Sequence, residues 1–273
     1  MTESIIRSRT NPLVKRLRAL KERGTGSDLA LLEGFTLVAE GLGAGLRFVE
    51  AAVTPAAEET ARGRDLVQQL SLRRVAVRRV APAVLESLSE AETSQGLVAL
   101  ARRPEFEEDA MYAAPPLVIV AAGLQNPGNV GAVLRAAEAA GATGAYLTRG
   151  TADPFSWKAL RGAMGSAFRV PHVRGLAAGD ALERLRRRGV TVLAAAATEG
   201  DRYDAVDLRR PVAFLLGPEA AGLGAELAAQ ADGRITIPMA GRAESLNVAV
   251  AAGVLLFEAA RQRAAEARSG RSR

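Results

Sequence analysis

The sequence predicts an α/β protein of two domains, a small N-terminal α/β domain and a larger C-terminal domain built on a parallel sheet. Three observations lead there. From Leu29 onward, strand-length apolar runs alternate with helical-period stretches. An acidic, proline-bearing stretch between Arg102 and Pro116 interrupts the alternation, as a domain boundary does. Beyond it, three hydrophobic strands each end in a Gly/Pro turn carrying one or two polar residues, the pattern of a binding crevice at the carboxyl edge of a parallel sheet.

Residues 1–28 form a basic leader in which Arg7, Arg9, Lys15, Arg16, Arg18, Lys21 and Arg23 outnumber Glu3, Glu22 and Asp28. Leu13, Val14, Leu17 and Leu20 recur at helical spacing, so a short amphipathic helix is expected, and both a solvated helix and an RNA contact fit it. Residues 29–103 read as strand Leu29–Leu32, helix Gly34–Leu42, strand Phe48–Val53, helix Thr60–Leu70, strand Val75–Val77, helix Ala83–Leu88 and a closing strand Leu97–Leu100. The linker, 104–116, holds Glu105, Glu107, Glu108, Asp109, Pro115 and Pro116. In the second domain, 117–263, parallel strands are expected at 117–121, 143–147, 190–195, 212–216 and 234–237. Helices are expected between and after them at 129–140, 155–165, 178–188, 219–229 and 245–263, on both faces of the sheet. A basic tail, 264–273, should fray.

Composition removes several function classes. The 273 residues include no cysteine, which excludes disulfides, thiolate metal sites and cysteine nucleophiles. His172 is the only histidine, so a multi-histidine metal site is excluded too. A net charge of +6 points to a polyanionic partner, nucleic acid first. Met1–Arg9 lacks the apolar core of a signal peptide and no run approaches a membrane span, so a cytoplasmic protein with no membrane partner is expected.

The three strand-end segments are Leu124–Glu138 (LQNPGNVGAVLRAAE), Phe214–Leu223 (FLLGPEAAGL) and Ile235–Val250 (ITIPMAGRAESLNVAV). None is a G-x-G-x-x-G or a Walker loop, and no acidic ribose reader follows, which argues against a dinucleotide oxidoreductase. Their polar residues are few: Asn129, Arg135, Glu219, Ser245 and Asn247. Singly, each has a plain structural reading. Asn129 and Ser245 would cap helices, Arg135 would pair with Glu138, and Glu219 would sit at a helix N-terminus. Asn247, inside an apolar helix start, needs a hydrogen-bond partner and so either closes a loop or meets a ligand. At three neighbouring strand ends, together, they make a site.

These segments resemble the three motifs of the SpoU/TrmH branch of the SPOUT RNA methyltransferases. The first resembles N-x-G-x-x-x-R-x-A through Asn129, Gly131, Arg135 and Ala137, and the second L-x-G-x-E-x-x-G through Leu215, Gly217, Glu219 and Gly222. The third resembles I-P-x-x-G-x-x-x-S-L-N-V-x-V-A through Ile237, Pro238, Gly241, Ser245, Leu246, Asn247, Val248, Val250 and Ala251. Lys158–Pro171 resembles the connector between the first two motifs, and residues 29–100 the family's ribosomal-protein-like substrate-binding domain. One departure is Asn126, where many relatives carry Asp before the proline.

The resemblance implies a deep trefoil knot in the C-terminal sheet, S-adenosylmethionine as cofactor, no metal, and methyl transfer to a ribose 2′-hydroxyl. It implies catalytic roles for Asn129, Arg135, Glu219, Ser245 and Asn247. It implies cofactor contacts at Ala195, Ala196, Thr198, Leu216, Gly217, Ile237, Met239, Ser245 and Leu246. Arg135 matches the family's proposed proton acceptor; a shielded, neutral guanidinium or a charged one that stabilises the forming alkoxide are both open. RNA would meet Arg7, Arg9, Lys15, Arg161 and Arg169, with Phe35, Phe48 and Trp157 as candidates for base stacking, core packing being the favoured reading for the first two. The substrate-binding domain favours 23S ribosomal RNA over transfer RNA, by analogy of fold. A homodimer is implied, packed on the apolar last helix, and a non-catalytic RNA-binding module is the reading from another class.

Overall fold

The computed structural model describes residues 5–23, 27–87, 94–112, 115–218 and 222–271. Its first elements are α1 (Pro12–Arg23), β1 (Leu29–Glu33), α2 (Gly34–Gly43), β2 (Phe48–Val53), α3 (Pro55–Glu58), α4 (Ala61–Leu72), β3 (Ala76–Arg79), α5 (Pro82–Glu86) and β4 (Leu97–Arg102). There follow β5 (Leu117–Ala121), α6 (Pro127–Ala139), β6 (Gly144–Leu147), α7 (Trp157–Ala163), β7 (His172–Arg174) and α8 (Ala178–Arg187). The last are β8 (Thr191–Ala196), β9 (Asp201–Arg202), β10 (Val212–Leu216), α9 (Ala225–Ala228), β11 (Gly233–Thr236) and α10 (Val248–Arg271). The chain divides into two compact units, Met1–Pro104 with Asp153–Phe168, and Glu105–Ala152 with Arg169–Arg273.

The first unit is a mixed four-stranded sheet in the order β1-β4-β2-β3. β4 runs antiparallel to both β1 and β2, and β3 lies parallel to β2. The basic leader belongs to this unit's core. Leu13, Val14 and Leu17 of α1 are buried against Leu31, Ala52, Val98 and Leu100 of the sheet and Val84 and Leu85 of α5. Each such side chain removed from water contributes about 1.5–3 kcal/mol, which fixes the helix while its charged face, with Lys15 and Arg16, stays exposed.

Asp153–Phe168 packs with this unit and not with the parallel sheet that flanks it in sequence. Its attachments are specific. Asp153 pairs with Arg103 at 2.8 Å, both nearly buried, and Arg103 also donates to the Leu29 carbonyl at 3.0 Å. The Arg103 guanidinium stands 5.2 Å from the centre of the Phe155 ring, which is stacked with Phe168. Ala159, Leu160 and Ala163 bury one face of α7, and the Trp157 indole N–H donates to the Glu33 carboxylate.

The second unit is an all-parallel seven-stranded sheet in the order β7-β6-β5-β10-β8-β11-β9. Every residue of its central strands β5 and β10 is buried, as strands covered on both faces must be. Successive side chains alternate between the faces. Val118, Val120 and Leu215 join the core that includes Leu182 and Leu185 of α8. α10 packs along α6 and reaches β10. The five strands expected from sequence in this half are all present. β7 and β9, of three and two residues, extend the sheet at its two edges.

α10 also braces the chain entering β10. Arg263 donates to the carbonyls of Leu208 (3.1 Å), Arg210 (2.8 Å), Pro115 (2.7 Å) and Pro116 (2.8 Å), and burial pushes its guanidinium below the usual value. Gln262 takes the Leu208 N–H and donates to Val206 O. The same loop holds Asp207, whose carboxyl is brought down to about 2 by its bonds from the Arg209 side chain and N–H. The helix runs to Arg271, past the expected end at 263, so most of the residues expected to fray are helical. Among the described residues no helix is long and apolar enough to cross a membrane.

Candidate active site

Because all strands of the second unit are parallel, their carboxyl ends share one edge. β5, β10, β8 and β11 are consecutive in the sheet, so the three motif loops and the end of β8 converge there. Chain order departs in opposite directions from the β5/β10 pair, the switch point at which open α/β sheets bind ligands.

A cavity lies at this edge. Ala195–Ala197 close one side, and Leu216, Gly217, Pro218, Gly222 and Leu223 form the second loop's wall. Ile235, Ile237, Met239, Ser245 and Leu246 come from β11 and its loop, and Val248, Ala251 and Leu255 from α10. Of the expected cofactor contacts, Ala195, Ala196, Leu216, Gly217, Ile237, Met239, Ser245 and Leu246 line it; Thr198 does not, and is exposed beyond the end of β8. The residues the sequence reading missed include Val248, Ala251 and Leu255, whose i, i+3, i+7 spacing on an apolar helix was the available signal.

The walls are apolar and backbone-edged, with Ser245 as the one hydroxyl among the lining side chains. Gly217 has no room for a side chain. A β-carbon there would lie 2.7 Å from the Gly222 carbonyl carbon and 2.8 Å from Leu223 N. Such a cradle fits a flat heterocycle held by main-chain groups, and so fits an adenosine-type cofactor without charged side chains.

The first and third loops are joined directly. Asn247 Nδ2 donates to Asn129 Oδ1 at 3.1 Å, and Asn247 Oδ1 accepts from Ala249 N at 2.9 Å and Val250 N at 3.4 Å. Asn247 is therefore the N-cap of α10, which begins at Val248; the start expected at Ser245 lies too early, and Ser245 faces the cavity instead. α6 is capped by Asn126, whose side chain accepts from Gly128 N at 2.9 Å, leaving Asn129 to the inter-loop bond. Asn and Asp cap equally well, so the departure from the family pattern at Asn126 keeps the cap.

Arg135 lies on the exposed face of α6, about 9 Å along the helix from Asn129. The single chain therefore does not by itself bury Arg135, one of the two environments the sequence left open. Nor does it pair with Glu138, whose carboxylate takes two bonds from Arg169. Arg169 is thus anchored in the second unit, whereas Arg7, Arg9, Lys15 and Arg161 are exposed in the first. Glu219 lies outside the described residues. Among the described residues no cluster of three or more metal-ligating side chains occurs.

Fold and cavity together define an α/β protein with a small-ligand cavity at the carboxyl ends of a parallel sheet and, as a separate unit, a mixed-sheet domain. Residues 116–257 match the model of the SpoU rRNA Methylase family, and residues 31–107 match that of the RNA 2′-O ribose methyltransferase substrate-binding domain. The chain belongs to the SpoU family of RNA 2′-O-ribose methyltransferases. It is 34% identical over 272 residues to an uncharacterised tRNA/rRNA methyltransferase of Synechocystis sp., covering 97% of this chain and 96% of that one. It is 37% identical over 171 residues to the 23S rRNA (guanosine(2553)-2′-O)-methyltransferase of Bacillus subtilis, covering 63% of this chain and 67% of that one. The crystal structure of an AdoMet-bound rRNA methyltransferase from Sinorhizobium meliloti superposes with a TM-score of 0.79 at 31% identity, covering 94% of this chain and 97% of that one.

Proposed function

We propose that this protein is a cytoplasmic enzyme that methylates a ribose 2′-hydroxyl of 23S ribosomal RNA, using S-adenosylmethionine held in the strand-end cavity. The observation that carries the reading is the apolar cradle at the carboxyl ends of β8, β10 and β11, whose lining takes in eight of the nine residues expected to touch that cofactor. The match to the SpoU rRNA Methylase model and the 23S activity named for the Bacillus relative favour ribosomal over transfer RNA. A trefoil knot through the carboxyl half of the sheet is part of the same reading.

Bound S-adenosylmethionine supplies an electrophilic sulfonium methyl. The chain's own residues do the rest. Leu216, Gly217, Ile237 and Leu246 hold the cofactor through main chain, with Ala195, Ala196, Met239 and Ser245 shaping its walls and Thr198 at the rim. Asn247 and Asn129, tied to one another, fix the first and third loops so that the sugar oxygen arrives in line, a positioning effect worth about 7–11 kcal/mol. Arg135, open to solvent in the single chain, acts as a cation on the sugar-phosphate and the forming alkoxide, while the hydroxyl proton leaves to water. Glu219 anchors the second loop. Arg7, Arg9, Lys15 and Arg161 engage RNA phosphates, and Arg169 does so from its ion pair with Glu138.

The test is methyl-labelled S-adenosylmethionine with ribosomal RNA from a strain lacking this gene. Label should appear in one alkali-resistant, 2′-O-methylated dinucleotide of the large-subunit RNA. Label on a base, or confined to transfer RNA, overturns the assignment.

The active form is proposed to be a homodimer packed on α10. Val250 and Phe257, seven residues apart on one stripe, are each 52% exposed. An interface supplied by a second copy removes this surface from water. The double variant Val250→Lys, Phe257→Lys should sediment as a monomer and lose more than about tenfold in turnover. A wild-type chain that sediments as a monomer at micromolar concentration refutes the dimer.

A further inference from the structure

A second cavity lies wholly within the first unit, between α2 and α7. It measures about 360 Å³ and is lined by Glu33, Gly34, Thr36, Leu37, Gln95, Trp157, Arg161 and Met164. Its size falls in the range of small-ligand pockets, about 300–1,000 Å³.

One arginine–aromatic pair lines the cavity and a second lies next to it. Arg161 sits over the Trp157 ring at 4.7 Å, and Arg62 over the Phe35 ring at 5.9 Å. Arg62 also donates at 3.2 Å to Oγ1 of Thr36, a lining residue, which puts its guanidinium next to the cavity. The indole cannot swing, because its N–H is held by Glu33. Gln95 is fixed as well. Its Oε1 accepts from Phe35 N at 2.8 Å, and a β-carbon on Gly34, whose φ is +88°, would lie 2.7 Å from that oxygen. With its oxygen engaged, Gln95 offers its amide N–H groups to the cavity.

An aromatic plane held by Glu33 with a guanidinium on it, a hydrogen-bonding amide, and a second guanidinium (Arg62) bonded to the lining Thr36 form the chemistry that receives an unstacked base while gripping the adjoining phosphates. A duplex has its bases paired and cannot enter. We propose that this cavity takes one unpaired nucleobase of the RNA substrate, stacked on the Trp157–Arg161 pair, and so selects single-stranded or looped RNA. The proposal rests on the chain being an RNA-modifying enzyme but not on where methyl transfer occurs.

Trp157 is the only tryptophan of the chain, so its fluorescence reports this cavity alone. The full-length protein is titrated at fixed salt with an octamer of adenosine, with a blunt RNA duplex of equal nucleotide content, with inorganic phosphate, and with an acidic octapeptide. The octamer should quench the fluorescence at least twofold, and the other three should not. Trp157→Phe should keep octamer affinity within about threefold, whereas Trp157→Ala should weaken it by about 5- to 150-fold, the value of one base–aromatic stack. Arg161→Gln, at an exposed position, should weaken it at least fivefold with the indole signal intact. Equal quenching by duplex, phosphate or peptide, or unchanged affinity in Trp157→Ala and Arg161→Gln, overturns the proposal. S-adenosylmethionine uptake by each variant is measured in parallel. Its absence from wild type would defeat the methyltransferase reading, while its presence with no quenching would defeat this one alone.

Discussion

Replacing Arg135 by alanine should lower kcat for RNA methylation by about 10²- to 10³-fold, the usual effect of deleting one group that stabilises a developing oxyanion. Affinity for S-adenosylmethionine should not change, since Arg135 is not among the residues lining the cavity. Arg135→Lys keeps a charge but not the planar fork, and should fall between wild type and alanine. The two roles open to Arg135 separate in the pH dependence. Loss of a proton acceptor changes the shape of the kcat profile, whereas loss of a fixed cation lowers it uniformly. Its exposure in the single chain favours uniform lowering. Calorimetry for the cofactor and single-turnover kinetics for transfer make the measurement, and wild-type turnover in both variants removes Arg135 from the reaction.

Gly217→Val should have the next largest effect. The new side chain meets main chain, not a movable side-chain end, with its β-carbon 2.7 Å from the Gly222 carbonyl carbon. Relief requires one wall of the cavity to shift. Overpacking of this kind costs about 1–3 kcal/mol, which read as binding is roughly a 5- to 150-fold loss of cofactor affinity. Gly217→Ala should act in the same direction by less. Both are followed by calorimetry, with Trp157 fluorescence showing that the other unit stays folded. Unchanged uptake by Gly217→Val would mean that the second loop does not contact the cofactor.

Most of the second unit's sheet was legible in the sequence. Leu117–Ala121 and Val212–Leu216 are buried on both faces, so their apolar runs are unbroken and their ends sharp. The convergence of three loops was legible too, because parallel strands put every carboxyl end on one edge. What escaped were matters settled by distant partners. Ser245 has the composition of an N-cap, but Asn247 takes that place because it can also reach Asn129, 118 residues away. The helix expected at 155–165 was assigned to the sheet around it, whereas Glu33, Leu29 and Arg103 draw Asp153–Phe168 into the first unit. β7 and β9 are too short to show a period. Arg135 and Glu138, three residues apart, looked like partners until Arg169 claimed the carboxylate.

The Arg263 bracing has a consequence for biosynthesis. Four carbonyls from two distant stretches wait for a guanidinium that only α10, made after both of them, supplies. While a nascent chain is still short of that point, any of those oxygens already withdrawn from water carries a penalty of about 1–3 kcal/mol. The lead-in to the central strand is therefore satisfied only once α10 has been made and docked, so this edge of the sheet closes after that helix and not before it.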